Sequence, residues 1–192
     1  MTRAFLADPI ASDALDRILD AARRAPSAGY SQGVDLVVLS GPEQTARFWD
    51  VSLPVGERRD EFWWPTLLQA PVLVIPVCEP DAYVRRYAEP DKASTGLGEG
   101  RERWPVPYWT VDASFAAMAL QYAAIDEMLG VLFFGIPNAW DEVLGALGVP
   151  SGYEAIGAVA IGHVDSTAAA PSGSSTRRAR RDPASIIHRG GW

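Results

Sequence analysis

Ser27, Tyr30, Ser31 and Gln32 gather hydroxyl and amide groups into one short run, with Arg23 and Arg24 just upstream and Gly29 in its middle. Donors and acceptors at that density, on a backbone that glycine frees, suit the non-covalent work of holding a ring and its phosphate tail. Pro26 ends any helix before it, so these groups fall on a loop, where function tends to concentrate. The same residue types also build ordinary polar turns between a helix and a strand, and the stretch alone leaves both readings open.

The elements that position this loop follow from spacing. Ser12 can cap a helix with Asp13 and Asp16 in its first turn, and Leu15, Ile18, Leu19 and Ala22 share one face of it. Val34 to Leu39 reads as a strand. Pro42-Glu43 opens a short helix to about Val51, and 57–68 reads as a second that carries Phe62, Trp63 and Trp64. The apolar, β-branched run 70–77 predicts a buried strand, and 81–87 another helix. A long polar loop, 89–109, then holds three glycines together with Trp104, Tyr108 and Trp109.

Asp112 is expected to cap a helix running to about Leu129. Its apolar residues Phe115, Met118, Tyr122, Ile125 and Met128 are joined by alanines on most other faces, so it must be covered nearly all round. One small domain supplies too few partners, and a second subunit is the natural cover. Asn138 can cap a helix over 139–147, with Gly148 just past its end, and 155–164 gives the final strand. Alanine, glycine, proline and serine over 166–176 read as a flexible linker. The arm beyond it, 177–192, carries Ile186 and Ile187, which need a surface.

With 192 residues and 48% apolar content, the chain suits a single domain spanning 1–192. Net charge is −7, with 16 arginines and one lysine, which disfavours a nucleic-acid partner. The cluster Arg177, Arg178, Arg180 and Arg181 suits one phosphate instead. Cys78 is the only cysteine, so no intramolecular disulfide forms, and His163 and His188 lack metal-ligand spacing. No stretch reads as a membrane span or leader, and the expectation is a soluble cytoplasmic protein.

Four separated motifs carry a resemblance. Ala25-Pro26-Ser27-Ala28-Gly29 with Ser31-Gln32, the segment from Val111 to Gly130, Phe133-Phe134-Gly135-Ile136-Pro137, and Arg180-Arg181-Asp182-Pro183 before Ile186-Ile187-His188 stand in an order that resembles the nitroreductase family of FMN-dependent enzymes. The resemblance implies an α+β three-layer sandwich, a mainly antiparallel sheet flanked by helices, in an intertwined homodimer with FMN at the subunit interface. It also implies hydride transfer from NADH or NADPH through flavin N5 to a nitroaromatic, quinone or similar conjugated acceptor, in ping-pong order.

Residue by residue, the resemblance implies that Arg3, Arg178 and Arg181 grip the phosphate. Pro26, Ser27, Ala28, Gly29, Tyr30 and Gln32 match the loop beside the ribityl chain and ring, and the Phe134-Gly135 backbone matches the approach to N5. No side-chain nucleophile is required, and no metal. Trp63, Trp104, Tyr108 and Trp109 are candidates for a flat acceptor pocket, or for packing at a dimer edge.

Three departures from the family pattern bear on function. The chain starts inside the first phosphate-binding motif, which implies either a weaker grip, by roughly 1.5–3 kcal/mol for each lost charge-assisted bond, or a start upstream. Tyr30 stands where Asn is common, and Gly33-Val34 where Pro-Trp is common. Thr66 occupies a place where many relatives carry Lys or Arg near the flavin N1 edge, which implies a lower reduction potential unless Arg58, Arg59, Arg101 or Arg103 substitutes. A flavin-binding protein with little turnover, and a reductase using a deazaflavin, remain as alternatives.

Overall fold

Val72–Cys78 is apolar or small along its whole length, and all seven of its residues are buried, so it has to be covered on both faces. A computed structural model describes residues 1–136, 139–168 and 177–192. It contains strands β1 (Val34–Ser40), β2 (Val72–Cys78), β3 (Gly130–Phe134), β4 (Glu154–Ala155) and β5 (Ala158–Gly162). The sheet runs β1-β2-β5-β3, β4 also pairs with β2, and these pairings are antiparallel. Val37 faces Ile75, Val74 faces Val159, and Leu132 faces Ala160.

Six α-helices surround it among the described residues: α1 (Ser12–Arg23), α2 (Pro42–Ser52), α3 (Glu57–Asp60), α4 (Pro80–Tyr87), α5 (Tyr108–Asp126) and α6 (Trp140–Ala146). The period of two along β2 divides the core. Val72 and Val74 join Ile18 and Ala22 of α1 and Leu120 and Ala124 of α5 on one face. Leu73, Ile75 and Val77 join Phe48 and Trp49 of α2 and Val143 and Leu144 of α6 on the other. The result is the expected three-layer α+β sandwich around an antiparallel, open sheet. Arg17 ties α1 to the end of α5 through Glu127, with Nε to Oε1 at 2.6 Å and Nη2 to Oε2 at 3.0 Å.

Several expectations need correction, each for a local reason. Ser12 is the first helical residue rather than the cap; Ala11 holds the capping position without a side-chain bond, and its carbonyl accepts from Leu15 N at 3.0 Å. The helix expected over 57–68 is interrupted, because Pro65 lacks an N–H and holds Trp64 out of helical geometry. One turn, α3, survives, followed by a 3₁₀ turn over Pro65–Gln69.

The loop over 89–109 is not structureless. It winds through 3₁₀ turns at Ala93–Thr95, Leu97–Glu99 and Arg101–Arg103 and is pinned by Arg86 to Asp91 and Arg101 to Asp81. Helix α5 starts at Tyr108, directly after Pro107, so Asp112 lies inside it and caps nothing. The segment following α5, 130–134, forms β3, a strand the expected elements do not include. The strand expected over 155–164 is split at Ile156-Gly157, where Gly157 has φ +154° and any Cβ would stand 2.4 Å from the Phe133 ring. The expected cap Asn138 and residues 169–176 of the expected linker lie outside the described residues.

Candidate binding cleft

The Arg24-to-Gln32 loop leaves α1 and doubles back into β1, and its shape comes from a dense local set of hydrogen bonds. Tyr30 N donates to Ser27 O at 2.9 Å and Ser31 N to Ala28 O at 3.1 Å. Ser31 Oγ donates to the same Ala28 carbonyl at 2.6 Å, and Gln32 N donates to Ser27 Oγ at 3.1 Å. Three residues in this turn sit at left-handed φ: Gly29 at 60°, Tyr30 at 57° and Gln32 at 51°. For Tyr and Gln that conformation is strained, and it persists only where surroundings over-determine it.

Helices α4 and α5 provide those surroundings. Asp112 of α5 accepts on one oxygen, Oδ2, from Ala28 N at 2.8 Å and from Tyr83 Oη at 2.8 Å. Asp112 is 3% exposed and Tyr83 is fully buried. Burial first, and then the hydrogen bond to Asp112, raises the Tyr83 phenol above its ordinary range, so it stays a donor. Arg86 Nε donates to Gly29 O at 2.9 Å, and Gly29 lies so close to Tyr87 that a Cβ would stand 2.6 Å from its ring.

The loop's outer side borders a cleft of about 990 Å³ between the end of α1, the β1 edge and the start of α5. Pro26, Ser27, Tyr30 and Gln32 line it, with Leu36 and Val38 of β1 as part of its apolar floor. A volume of this size is at the upper end of small-molecule sites. Arg23 and Arg24 stand on the rim, but both are tied to Asp20. Their hydrogen bonds hold the Asp20 carboxyl below the usual carboxylate range. Ring and chain contacts are therefore available here, while much of the local positive charge is already engaged.

The sequence-derived residues fall into four places. Pro26, Ser27, Ala28, Gly29, Tyr30 and Gln32 form the loop, with Ala28 and Gly29 held by α4 and α5 rather than lining the cleft. Arg3 is half-buried with its guanidinium 5.3 Å from the centroid of Trp64, and Thr66 is close by in chain terms, its carbonyl accepting from Phe5 N at 3.4 Å. Phe134 stacks on Trp49 with centroids 5.6 Å apart, and Gly135 follows it, exposed, with open space where a Cβ would be. Arg178 and Arg181 are exposed on the arm, and Arg181 Nη2 donates to Ser185 O at 2.6 Å within that arm.

The aromatic candidates separate as well. Trp104 and Trp109 are each 8% exposed and pack edge-on against Tyr83, and Trp104 Nε1 donates to Leu97 O at 3.0 Å. Tyr108 lies at the edge of that cluster, and Trp63 is 83% exposed. Of the arginines weighed against Thr66, Arg59 pairs with Asp50, Arg101 with Asp81 and Arg103 with Glu99.

Asp112, Tyr83 and Arg86 are the site residues that sequence reasoning missed. The available signal is Asp112 itself, a carboxylate followed by a long alanine-rich apolar run, a pattern that equally suits a helix cap. Among the described residues no group of three or more His, Cys, Asp and Glu is placed to hold a metal ion, and no helix is long and apolar enough to cross a membrane.

Comparison with known proteins adds the remaining finding. The model of the nitroreductase family matches residues 1–163. Among solved structures, NfrA2 from Bacillus megaterium superposes over 100% of this chain and 70% of its own, with a TM-score of 0.70 and 20% identity. An FMN-dependent nitroreductase from Clostridium difficile R20291 covers 100% of this chain and 94% of its own, at a TM-score of 0.66 and 19% identity. NfrA1 nitroreductase from Bacillus subtilis covers 98% and 70%, at 0.69 and 19%. Identities this low speak for a shared fold alone. No curated protein matches the sequence.

Proposed function

The chain belongs to the nitroreductase family, a family of oxidoreductases, and from that premise we propose that it binds FMN and passes reducing equivalents from NADH or NADPH to a nitroaromatic, quinone or related conjugated acceptor. The observation that carries this reading is the strained, doubly clamped loop bordering the 990 Å³ cleft. A loop with two non-glycine residues at left-handed φ, held from beneath by a buried carboxylate, is a preformed surface rather than a connector. Its hydroxyl and amide groups and apolar floor fit a flat ring bearing a polar chain.

A bound flavin would supply the redox chemistry, hydride exchange with a nicotinamide and then with an acceptor in ping-pong order. The chain's own residues bind and orient. Ser27, Tyr30 and Gln32 present polar groups and a ring along the loop, and Pro26 keeps α1 from extending into the cleft. We assign Arg3, Arg178 and Arg181 to the phosphate and the Phe134-Gly135 backbone to the N5 edge. Thr66 puts no positive charge at the ring's N1 side. Tyr108 and Trp63 are exposed enough to meet an acceptor, with Trp104 packed edge-on against Tyr108.

The assembly we propose is a homodimer of single-domain chains. Phe115, Met118, Tyr122 and Ile125 form an exposed apolar stripe on α5, each about half or more exposed. The arm likewise exposes Ile186, Ile187 and Trp192. A second copy covers both, and brings the arm's arginines to a site that one protomer leaves short of free cations.

The test is anaerobic. Purified protein loaded with FMN should be yellow, bleach on addition of NADH or NADPH, and regain colour when a quinone or nitroaromatic is added. Protein that neither donor bleaches would contradict the nicotinamide step and favour the deazaflavin or low-turnover alternative. Protein that takes up no FMN would contradict the flavin reading altogether.

A further inference from the structure

We propose that Asp112 is the positioning residue of the binding loop: from inside α5 it holds the Ala28 peptide and, through it, the left-handed turn of Gly29, Tyr30 and Gln32 that shapes the cleft.

A carboxylate 3% exposed in an apolar helix is costly unless donors satisfy it. Both donors to Asp112 meet on the same oxygen, and one of them comes from the loop: Ala28 N at 2.8 Å, beside Tyr83 Oη at 2.8 Å. A pair serving only to fasten α4 to α5 would need Tyr83 and not Ala28.

Ala28 is also the hub of the turn. The peptide that Asp112 holds, Ser27–Ala28, accepts on its own carbonyl from Tyr30 N at 2.9 Å, and the next carbonyl, Ala28 O, accepts from Ser31 N at 3.1 Å and from Ser31 Oγ at 2.6 Å, so fixing the Ser27–Ala28 peptide orients the residues that follow. Tyr83 in turn fixes Asp112, because its ring is locked among Trp104 and Trp109. Arg86 adds a second hold on the same turn, donating to Gly29 O at 2.9 Å while its other nitrogens hold Asp91 at 2.8 Å. The loop's two exposed polar side chains, Tyr30 and Gln32, reach the cleft from this anchored base.

What the loop holds rests on the flavin reading; the anchoring itself does not. Amide hydrogen exchange is therefore followed by NMR in protein free of FMN, and FMN affinity is measured separately. In Asp112→Ala the Ala28, Tyr30 and Ser31 amides should exchange about tenfold faster or more, while β2 and β5 amides keep their wild-type rates. Asp112→Asn, whose side-chain oxygen still accepts, should restore most of the protection. Ala28→Pro removes the donor from the loop side while leaving Asp112 and Tyr83 in place, and should loosen Tyr30 and Ser31 in the same way. FMN affinity should fall by a similar factor in Asp112→Ala and Ala28→Pro and recover in Asp112→Asn. Unchanged loop exchange in both Asp112→Ala and Ala28→Pro would overturn the proposal, as would acceleration of β2 and β5 in step with the loop. Wild-type protein that binds no FMN would remove the flavin reading, with the exchange pattern still deciding the anchoring.

Discussion

Two polar stretches, the loop over 26–32 and the arm over 177–192, meet opposite fates. The loop is held at three points by its own protomer, through Asp112, Arg86 and the Tyr87 ring. The arm is exposed throughout, and its described contacts close on itself: Asp182 accepts from Ala184 N at 2.9 Å, Arg181 reaches Ser185, and His188 stacks on Trp192 with centroids 4.1 Å apart. One half of the proposed site is thus finished in the monomer. The other half is a set of arginines and isoleucines without a surface, beside a protomer whose α5 offers an uncovered apolar stripe.

The largest effect expected from this contrast comes from breaking the surface the arm lacks. Ile125→Glu places a charge in the proposed subunit contact, and burying it unpaired costs several kcal/mol, so dimers should weaken by about a hundredfold or more. Sedimentation velocity reads this directly, and an unaltered dimer would show that α5 is not the contact. Next, Arg181→Ala should weaken FMN binding by about tenfold to a hundredfold, the range for one charge-assisted bond, without moving the unfolding temperature of FMN-free protein. Equal affinity in variant and wild type would take the arm out of the site.

Gly29→Ala attacks the finished half. With φ at +60° and the Tyr87 ring 2.6 Å from the added methyl, urea unfolding should show a loss of about 1–3 kcal/mol. Alkali should act on the same side of the molecule. Burial pushes the Cys78 thiol from 9.0 up to about 12 and raises the Tyr83 phenol as well. Because the folded pKa is the higher, the stability contributed by neutral Cys78 is complete below pH 9 and is lost as pH rises toward 12. Cys78→Ala should flatten that decline; a slope equal to that of the wild type would point to other groups. The smallest effect is Tyr30→Asn, which tolerates left-handed φ and should gain about 0.5–1 kcal/mol in the same unfolding assay. A loss there would mean that the Tyr30 ring is packed against something.

How much of this was legible depended on whether the signal was local. The apolar spacing of Leu15, Ile18, Leu19 and Ala22, and the β-branched run at 72–77, determine their elements whatever surrounds them, and the family motifs supplied the sandwich. Pro65 was equally local, and it explains why 57–68 does not form one helix. Residues that act across the fold were not legible. Asp112 is separated from Ala28 by 84 positions, and only packing of α5 under the loop turns an apparent cap into an anchor. Trp104 and Trp109 read as pocket walls because an exposed and a buried indole look alike in sequence; their closure around Tyr83 is a tertiary fact. The 3₁₀ turns of 93–103 depend on ion pairs such as Arg101 to Asp81, which no periodicity announces.

The most direct test follows visible flavin absorbance during sedimentation of FMN-loaded protein. Colour travelling only with a species of two chains, and lost from the single chains that Ile125→Glu produces, is the result expected if two copies complete each site. Colour travelling with single chains at wild-type affinity would contradict it.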